Sequence, residues 1–235
     1  MFFGVFWIFV CLTYVPNIRY ITTVLNIRYN VNRLNKNNLM DKIEASRRLV
    51  NVFRQYGYEG ATLSRISQAT GLGKASLYHH FPNGKQEMAE AVLEYVSQWF
   101  HAAILEPLRH PGEPRKRIQA MNESLKQFYN CGRDACLLAI FSLGESNDLF
   151  HQQVNQMLSA WIDGLVQVLE EAGLPTTQAR QRAEDAVMQV QGALVLTRGL
   201  KSTAPFERIL EQLPEQLLQK VEVYNRNSHF AQTQG

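Results

Sequence analysis

From Asp41 onward, apolar residues recur at three- and four-residue intervals, and no run alternates with the period of two that a half-buried strand needs. Ile43, Leu49, Val50 and Phe53 mark the inward face of a first helix that ends at Gly57. Leu63, Ile66 and Ala69 predict a short second helix, and Leu77 and Phe81 a third, each presenting one apolar face. A long connecting helix follows from Lys85 to Leu108, with Met88, Val92, Tyr95, Val96 and Trp99 on its stripe and Pro107 in its last turn; His110-Pro111-Gly112 stops it. Pro114 opens a helix carrying Ile118, Met121, Leu125 and Phe128 as far as Cys131-Gly132. A shorter apolar helix spans Asp134 to about Ser142. Asn147 or Asp148 caps the next, with Val154, Leu158, Trp161, Ile162 and Leu165 before Gly173-Leu174-Pro175. Thr176 or Thr177 starts another long helix to about Gly199. Pro205 starts the last, bent or broken at Pro214. The expectation is an all-α fold of about nine helices.

The segment from Thr62 to Phe81 carries the chemistry. Thr62 is suited to cap the second helix, and Gly71 falls where the helix must end with positive φ. Leu72 fits the angle between the two helices. With Leu77 and Phe81 facing the core, Lys74, Ala75, Ser76, Tyr78 and His79 are left outside, and no acidic residue occurs from Thr62 to Gln86. Lys, Ser, Tyr and His side chains bond to phosphate oxygens or base edges, so a helix pair of this size fits a DNA major groove. The same pattern also occurs in all-α proteins that bind nothing, with Tyr78 and His80 as half-buried packing residues.

The stretch from about Asp41 to Leu93 resembles the N-terminal DNA-binding domain of the TetR family of bacterial repressors. The resemblance rests on Thr62, Ile66, Gly71-Leu72, Leu77-Tyr78-His79-His80-Phe81 and Lys85-Gln86-Glu87-Met88, in that order and at those spacings. Two departures occur. Ser67 stands where the family usually has Ala, and the Pro82-Asn83-Gly84 link is a residue longer than in many members, similar to a branch that includes regulators of multidrug export. The resemblance implies that Thr62 donates to a phosphate, that Tyr78 and His80 contact the DNA backbone, and that His79 lies near bases. Lys74, Ala75 and Ser76 open the helix at the end that meets base edges in this docking mode. Ser64 joins the DNA-binding set, and Lys85 is expected to meet a phosphate by its charge and its helix N-terminus.

Charge sharpens this picture. The chain has a net charge of +3 over 235 residues, but residues 41–88 carry seven Lys/Arg against four Asp/Glu, and residues 89–235 carry thirteen against seventeen. Nucleic-acid affinity follows local basicity. Three cysteines, at 11, 131 and 136, suit neither a disulfide framework nor zinc, and point to a reducing cytoplasm. Adjacent His79 and His80 diverge by about 100° on a helix, so no metal site is expected. No nucleophile elbow, phosphate-cradling glycine loop or paired carboxylates argue for an enzyme, and no cofactor is expected.

The first 39 residues contain no Asp or Glu, and Asn-Ile-Arg-Tyr occurs in them twice, at 17–20 and 26–29. Met1 to Val15 is apolar but shorter than the roughly 20 residues of a membrane span. Met40 as the true start, with translated upstream sequence before it, is one reading; a membrane anchor is the other. The expected division is an extension over 1–39, a DNA-binding domain over 40–100 with its motif at about 63–82, a helical effector and dimerisation domain over 101–222, and a polar tail over 223–235.

The resemblance implies a homodimer on palindromic operator DNA, its two heads about 34–36 Å apart. Ala183, Val187, Val190 and Leu194 on one helix, and Leu210, Leu213 and Leu217 on the next, are the candidate dimer interface; the alternative is that both stripes face the chain's own core. Met121, Phe128, Cys136, Phe141, Trp161 and Met188 are candidates to line a pocket for a small apolar or amphipathic effector, with core packing as the alternative. The implied function is a cytoplasmic, ligand-released repressor. The alternative is a regulator of the same fold without a small-molecule effector, controlled by a protein partner.

Overall fold

Thr62 turns the chain into a helix at Leu63: its backbone is extended (φ −71°, ψ 155°), and its side chain accepts from the Arg65 N–H. The computed structural model describes residues 36–219, with side chains from 42. The expectations for the extension before residue 36, including Cys11, and for the tail from residue 223 lie outside the described residues. Contacts divide the chain after Glu44, and the described residues from Ala45 to Gln219 make up one compact unit.

The helices are α1 (Lys36–Gly60), α2 (Leu63–Thr70), α3 (Lys74–His80), α4 (Lys85–Phe100), a π turn (His101–Leu105), α5 (Glu106–Arg109), α6 (Pro114–Phe128), α7 (Leu137–Phe141), α8 (Gly144–Glu171), α9 (Thr176–Leu200) and α10 (Ala204–Leu218). Because α4, the π turn and α5 run on without a break, the described residues hold nine helical rods and no strand. The fold is all-α, as the periodicity predicts.

Several boundaries differ from the expectation, each for a physical reason. Gly57 breaks helical geometry at φ 69°, ψ −179°, but the chain re-coils to Gly60 before leaving α1. Ile43, expected on the inner face, is exposed; Ala45, Leu49, Val52 and Phe53 form that face. In α2, Thr70 is buried in place of the exposed Ala69, because its hydroxyl donates back to the Ile66 carbonyl at 2.7 Å and so enters the core satisfied. The connecting helix widens at His101–Leu105. Pro107 has no N–H for the fourth carbonyl back and its ring would strike that carbonyl; the wider turn, in which the Glu106 N–H reaches the His101 carbonyl, makes room for the ring.

The helix expected to start at Asn147 or Asp148 begins at Gly144, because a Glu59 carboxylate oxygen accepts from the Glu145 N–H at 3.0 Å and caps it from a distant part of the chain. The segment expected to be helical from Asp134 is helical only from Leu137, and α6 ends at Phe128. Asn130, Cys131 and Gly132 all take positive φ there, reversing the chain. At Gly132 a Cβ would lie 2.8 Å from Phe206, so close approach as well as φ requires glycine. Helix α10 passes through Pro214 without breaking.

Helices α8 and α9 pack together along their length, and α10 packs on α9 and α6. The seven candidate interface residues Ala183, Val187, Val190, Leu194, Leu210, Leu213 and Leu217 are all buried within this single chain, which corrects their assignment to a dimer surface. The reason is that α9 has neighbours on two sides and needs apolar residues toward both. Arg117, buried against α5, donates from Nε to the Leu108 carbonyl at 2.8 Å and pairs with Glu171, while Asn122 donates to the Leu210 carbonyl at 2.7 Å. No helix among the described residues is long and apolar enough to cross a membrane.

Candidate nucleic-acid interface

Helices α2 and α3 meet at Gly71, whose left-handed backbone (φ 72°, ψ 8°) sends its N–H back to the Ser67 carbonyl. The turn is held from three sides. Ser67 Oγ donates to the Leu72 carbonyl at 2.7 Å, Thr70 Oγ1 accepts from the Leu72 N–H at 3.3 Å, and Arg48 of α1 donates to the Thr70 carbonyl at 2.8 Å. Ile66, Leu77 and Phe81 are wholly buried and fix the inner faces of both helices. With the turn clamped and the inner face anchored, the orientation of the outer face is set.

That outer face carries Lys74, Ala75, Ser76, Tyr78 and His79, all exposed, with His80 half-buried beside them. Tyr78 is 40% exposed, more than a ring packed into a core would be. The His79 and His80 rings sit edge to face at 5.4 Å, and His80 meets Phe81 in the same manner at 6.4 Å. Thr62 and Ser64 are exposed at the first turn of α2, next to Arg65 in the chain, whose guanidinium lies 4.2 Å over Tyr56 and donates to the Gly60 carbonyl at 2.7 Å. The sequence-predicted set is therefore brought together, with one departure. Lys85 is half-buried, and its Nζ lies 4.2 Å over the Tyr58 ring instead of reaching out from the helix start. Tyr58 is itself 4% exposed, and burial, followed by the charges of Glu145, Glu59 and Glu90, pushes its hydroxyl above its ordinary pKa of 10.0, so it stays neutral beneath the ammonium.

Sequence reasoning missed the contacts between this head and the helices behind it. Arg54 of α1 donates to Asp134 at 3.1 Å, and its guanidinium lies 4.5 Å over Phe128, which stacks on Trp99 at 4.0 Å. Phe53 and Tyr58 join Phe141 and Phe150 in an aromatic cluster. No local pattern signals these pairs, since their partners lie far apart in the chain. They relocate two effector candidates: Phe128 and Phe141 pack at the junction of head and body. Met121 and Trp161 touch each other, the indole N–H 3.2 Å from the Met121 sulfur, and Tyr129 donates to Cys136 Sγ at 3.3 Å. Burial drives the Tyr129 hydroxyl pKa well above 10.0. Met188 does not join this interior group; it is 63% exposed.

Two family models match the chain. Residues 45–92 match the model for bacterial regulatory proteins of the tetR family, and residues 114–212 match the C-terminal domain of LmrA/YxaF-like transcriptional regulators. The chain belongs to the TetR family. Among relatives of this TetR-family regulator, the HTH-type transcriptional regulator LmrA of Bacillus subtilis is 24% identical over 170 residues, covering 71% of this chain and 90% of LmrA. The HTH-type transcriptional repressor AcnR of Corynebacterium glutamicum is 40% identical over 97 residues, 38% of this chain and 48% of AcnR. A TetR transcriptional regulator of Legionella pneumophila has the same fold, with a TM-score of 0.64 at 21% identity, covering 79% of this chain and 98% of that one. This TetR-family chain is thus a transcriptional regulator with a helix-turn-helix DNA-binding domain, and its family is one of regulators, not enzymes.

Proposed function

We propose that this regulator is a homodimeric repressor that acts in the cytoplasm on a palindromic operator and releases it when a small molecule binds. The observation that carries the reading is the outer face of α3: exposed cationic and hydroxyl side chains, free of acidic residues, on a helix whose other face is locked into the core. The head spans 45–92 and the helices behind it form the body. In this reading Lys74, Ala75 and Ser76 meet base edges. Thr62, Ser64, Tyr78 and His80 hold phosphates, and His79 lies between the two. Lys85 reaches a phosphate by leaving Tyr58, an exchange of a cation–ring contact for an ion pair. AcnR is named a repressor, which supports the sign of regulation.

One copy of such a head makes few contacts, so a second copy is needed. The surface that suits it is the outer face of α9, where Met188, Val195, Leu196 and Leu200 stand exposed at helical spacing. Gly192 and Gly199 lie among them with open space where a Cβ would be, so a neighbouring helix can approach closely. This face replaces the buried stripe expected from sequence. The test of DNA binding is a titration of promoter duplexes with wild type and Tyr78→Ala. Wild type should bind with an affinity that falls linearly on a log–log plot against salt, and Tyr78→Ala should bind roughly tenfold or more weakly while melting at the same temperature. Equal, salt-insensitive retention of both would defeat the reading.

The close contacts of Met121 with Trp161 and of Phe128 with Trp99 favour a second reading, in which no apolar small molecule enters the body and a protein partner controls the head. A melting shift with small apolar or amphipathic compounds separates the two: it is expected only in the first.

A further inference from the structure

Behind the head, the end of α9, the start of α10 and the turn after α6 enclose an open hollow of about 570 Å³, lined by Arg133, Thr197, Arg198, Lys201, Ser202 and Thr203. Its composition is unusual for this body, which is acidic along its length as a whole. Arg115, Arg117 and Arg180 each pair with a carboxylate. Arg133, Arg198 and Lys201 do not: among the described residues none of the three forms an ion pair, and the one side-chain bond of Arg133 goes to the Asn130 carbonyl at 3.3 Å. Three like charges gathered without a counter-charge repel one another, and an anion between them removes that cost.

A second, independent observation comes from Thr197. It lines the hollow, is 2% exposed, and its hydroxyl has no hydrogen-bond partner. A buried hydroxyl left unsatisfied is costly, and a chain that keeps one gains it back when a ligand completes the bond. Two of the terminal carbonyls of α9, which would otherwise oppose an anion, are already occupied. The Ser202 N–H takes the Thr197 carbonyl at 3.1 Å, and the Lys201 N–H takes that of Arg198 at 3.4 Å. On the other wall, Thr203 stands at the N-cap of the 15-residue α10 with no capping bond from its side chain, while the first-turn N–H groups of that helix are already taken, Ala204's by Ser202 Oγ at 3.4 Å and those of Phe206 and Glu207 by the Thr203 carbonyl.

We propose that this hollow binds a small molecule through a multiply charged oxyanion group, with Arg133, Arg198 and Lys201 supplying charge and Thr197 and Thr203 supplying hydroxyl donors. The site rests on the ligand-responsive reading and gives that ligand a chemistry and a place, while its binding test stands without the operator. Phosphoryl and carboxylate groups share the required chemistry, and the probes distinguish them.

The full-length protein is titrated at constant ionic strength with inorganic pyrophosphate, with a tricarboxylate, and with chloride as control. Melting temperature and calorimetric heat are both recorded. The expected result is saturable binding of at least one oxyanion, absent with chloride. Pyrophosphate alone would assign the site to phosphoryl groups, and the tricarboxylate alone to carboxylates. Arg198→Gln with Lys201→Gln should weaken binding by roughly a hundredfold, and Thr197→Val, nearly the same shape, by roughly tenfold. Lys126→Gln, an exposed charge outside the hollow, should bind as wild type does. No saturable binding by either oxyanion, or equal binding by all variants, would overturn the proposal. Operator affinity followed in the same titration reports on the regulatory reading alone: oxyanion binding that leaves it unchanged defeats release by this ligand and leaves the site standing.

Discussion

Thr70 and Gly71 show how individual residues settle the head. Thr70 goes inward because its hydroxyl closes bonds with its own helix and the turn, so a polar residue takes a core place that a hydrophobicity pattern gives to Ala69. Gly71 is needed for backbone conformation alone, since an added Cβ would have only Arg48, at 3.8 Å, within contact range. Gly71→Ala should therefore cost about 1–2 kcal/mol, the strain of an L-residue in left-handed geometry, read as a lowered midpoint in denaturant with unchanged slope. Both the cap at Thr62 and the stop at Gly71 were legible in the sequence because each depends on residues within one turn. The burial of Thr70 was not, because it depends on bonds whose formation the pattern does not display.

At the level of helices, legibility fell where contacts come from far along the chain. The start of α8 is moved by Glu59, and nothing near Asn147 announces that. Helix α9 defeated assignment for a different cause: Ala183, Val187, Val190 and Leu194 on one side, and Met188, Val195, Leu196 and Leu200 on the other, are both apolar, and periodicity cannot rank two greasy faces. Only packing against α8 and α10 reveals which is left over. The join of α6 to α8 carries its own expectation. The Arg117 hydrogen bond holds the Glu171 carboxyl below its usual value of 4.5, so the pair supports the fold above that value and loses its support as pH falls through the depressed one. Melting curves from pH 6 downward should show wild type losing stability more steeply than Glu171→Gln, which starts lower and lacks this titration.

At the scale of the whole molecule, the question is what two copies do together. If α9 faces α9 across a two-fold axis, Leu196→Glu with Leu200→Glu places carboxylates in the contact and should yield a folded monomer in sedimentation. Operator affinity should fall by more than tenfold, since each head then binds alone. A helical circular dichroism spectrum equal to wild type distinguishes this from unfolding. The contacts of Arg54 with Asp134, and of the Phe53–Tyr58 pair with Phe141 and Phe150, tie each head to its own body, so a change in the body's packing reaches α1 as well as α4.

The widened turn at His101–Leu105 has a consequence of its own. Five residues per hydrogen-bonded loop means the coil there holds one residue more than regular winding would use. Removing Ala102 should therefore let the coil close to ordinary pitch with the segments on either side kept near their present phase, whereas one residue added to the regular winding of α4 would rotate everything upstream by about 100° against everything downstream. The lengthened protein should keep its helical content yet fail to seat both heads on one duplex. In this chain, the phase of the winding sets the aim of the reading surface.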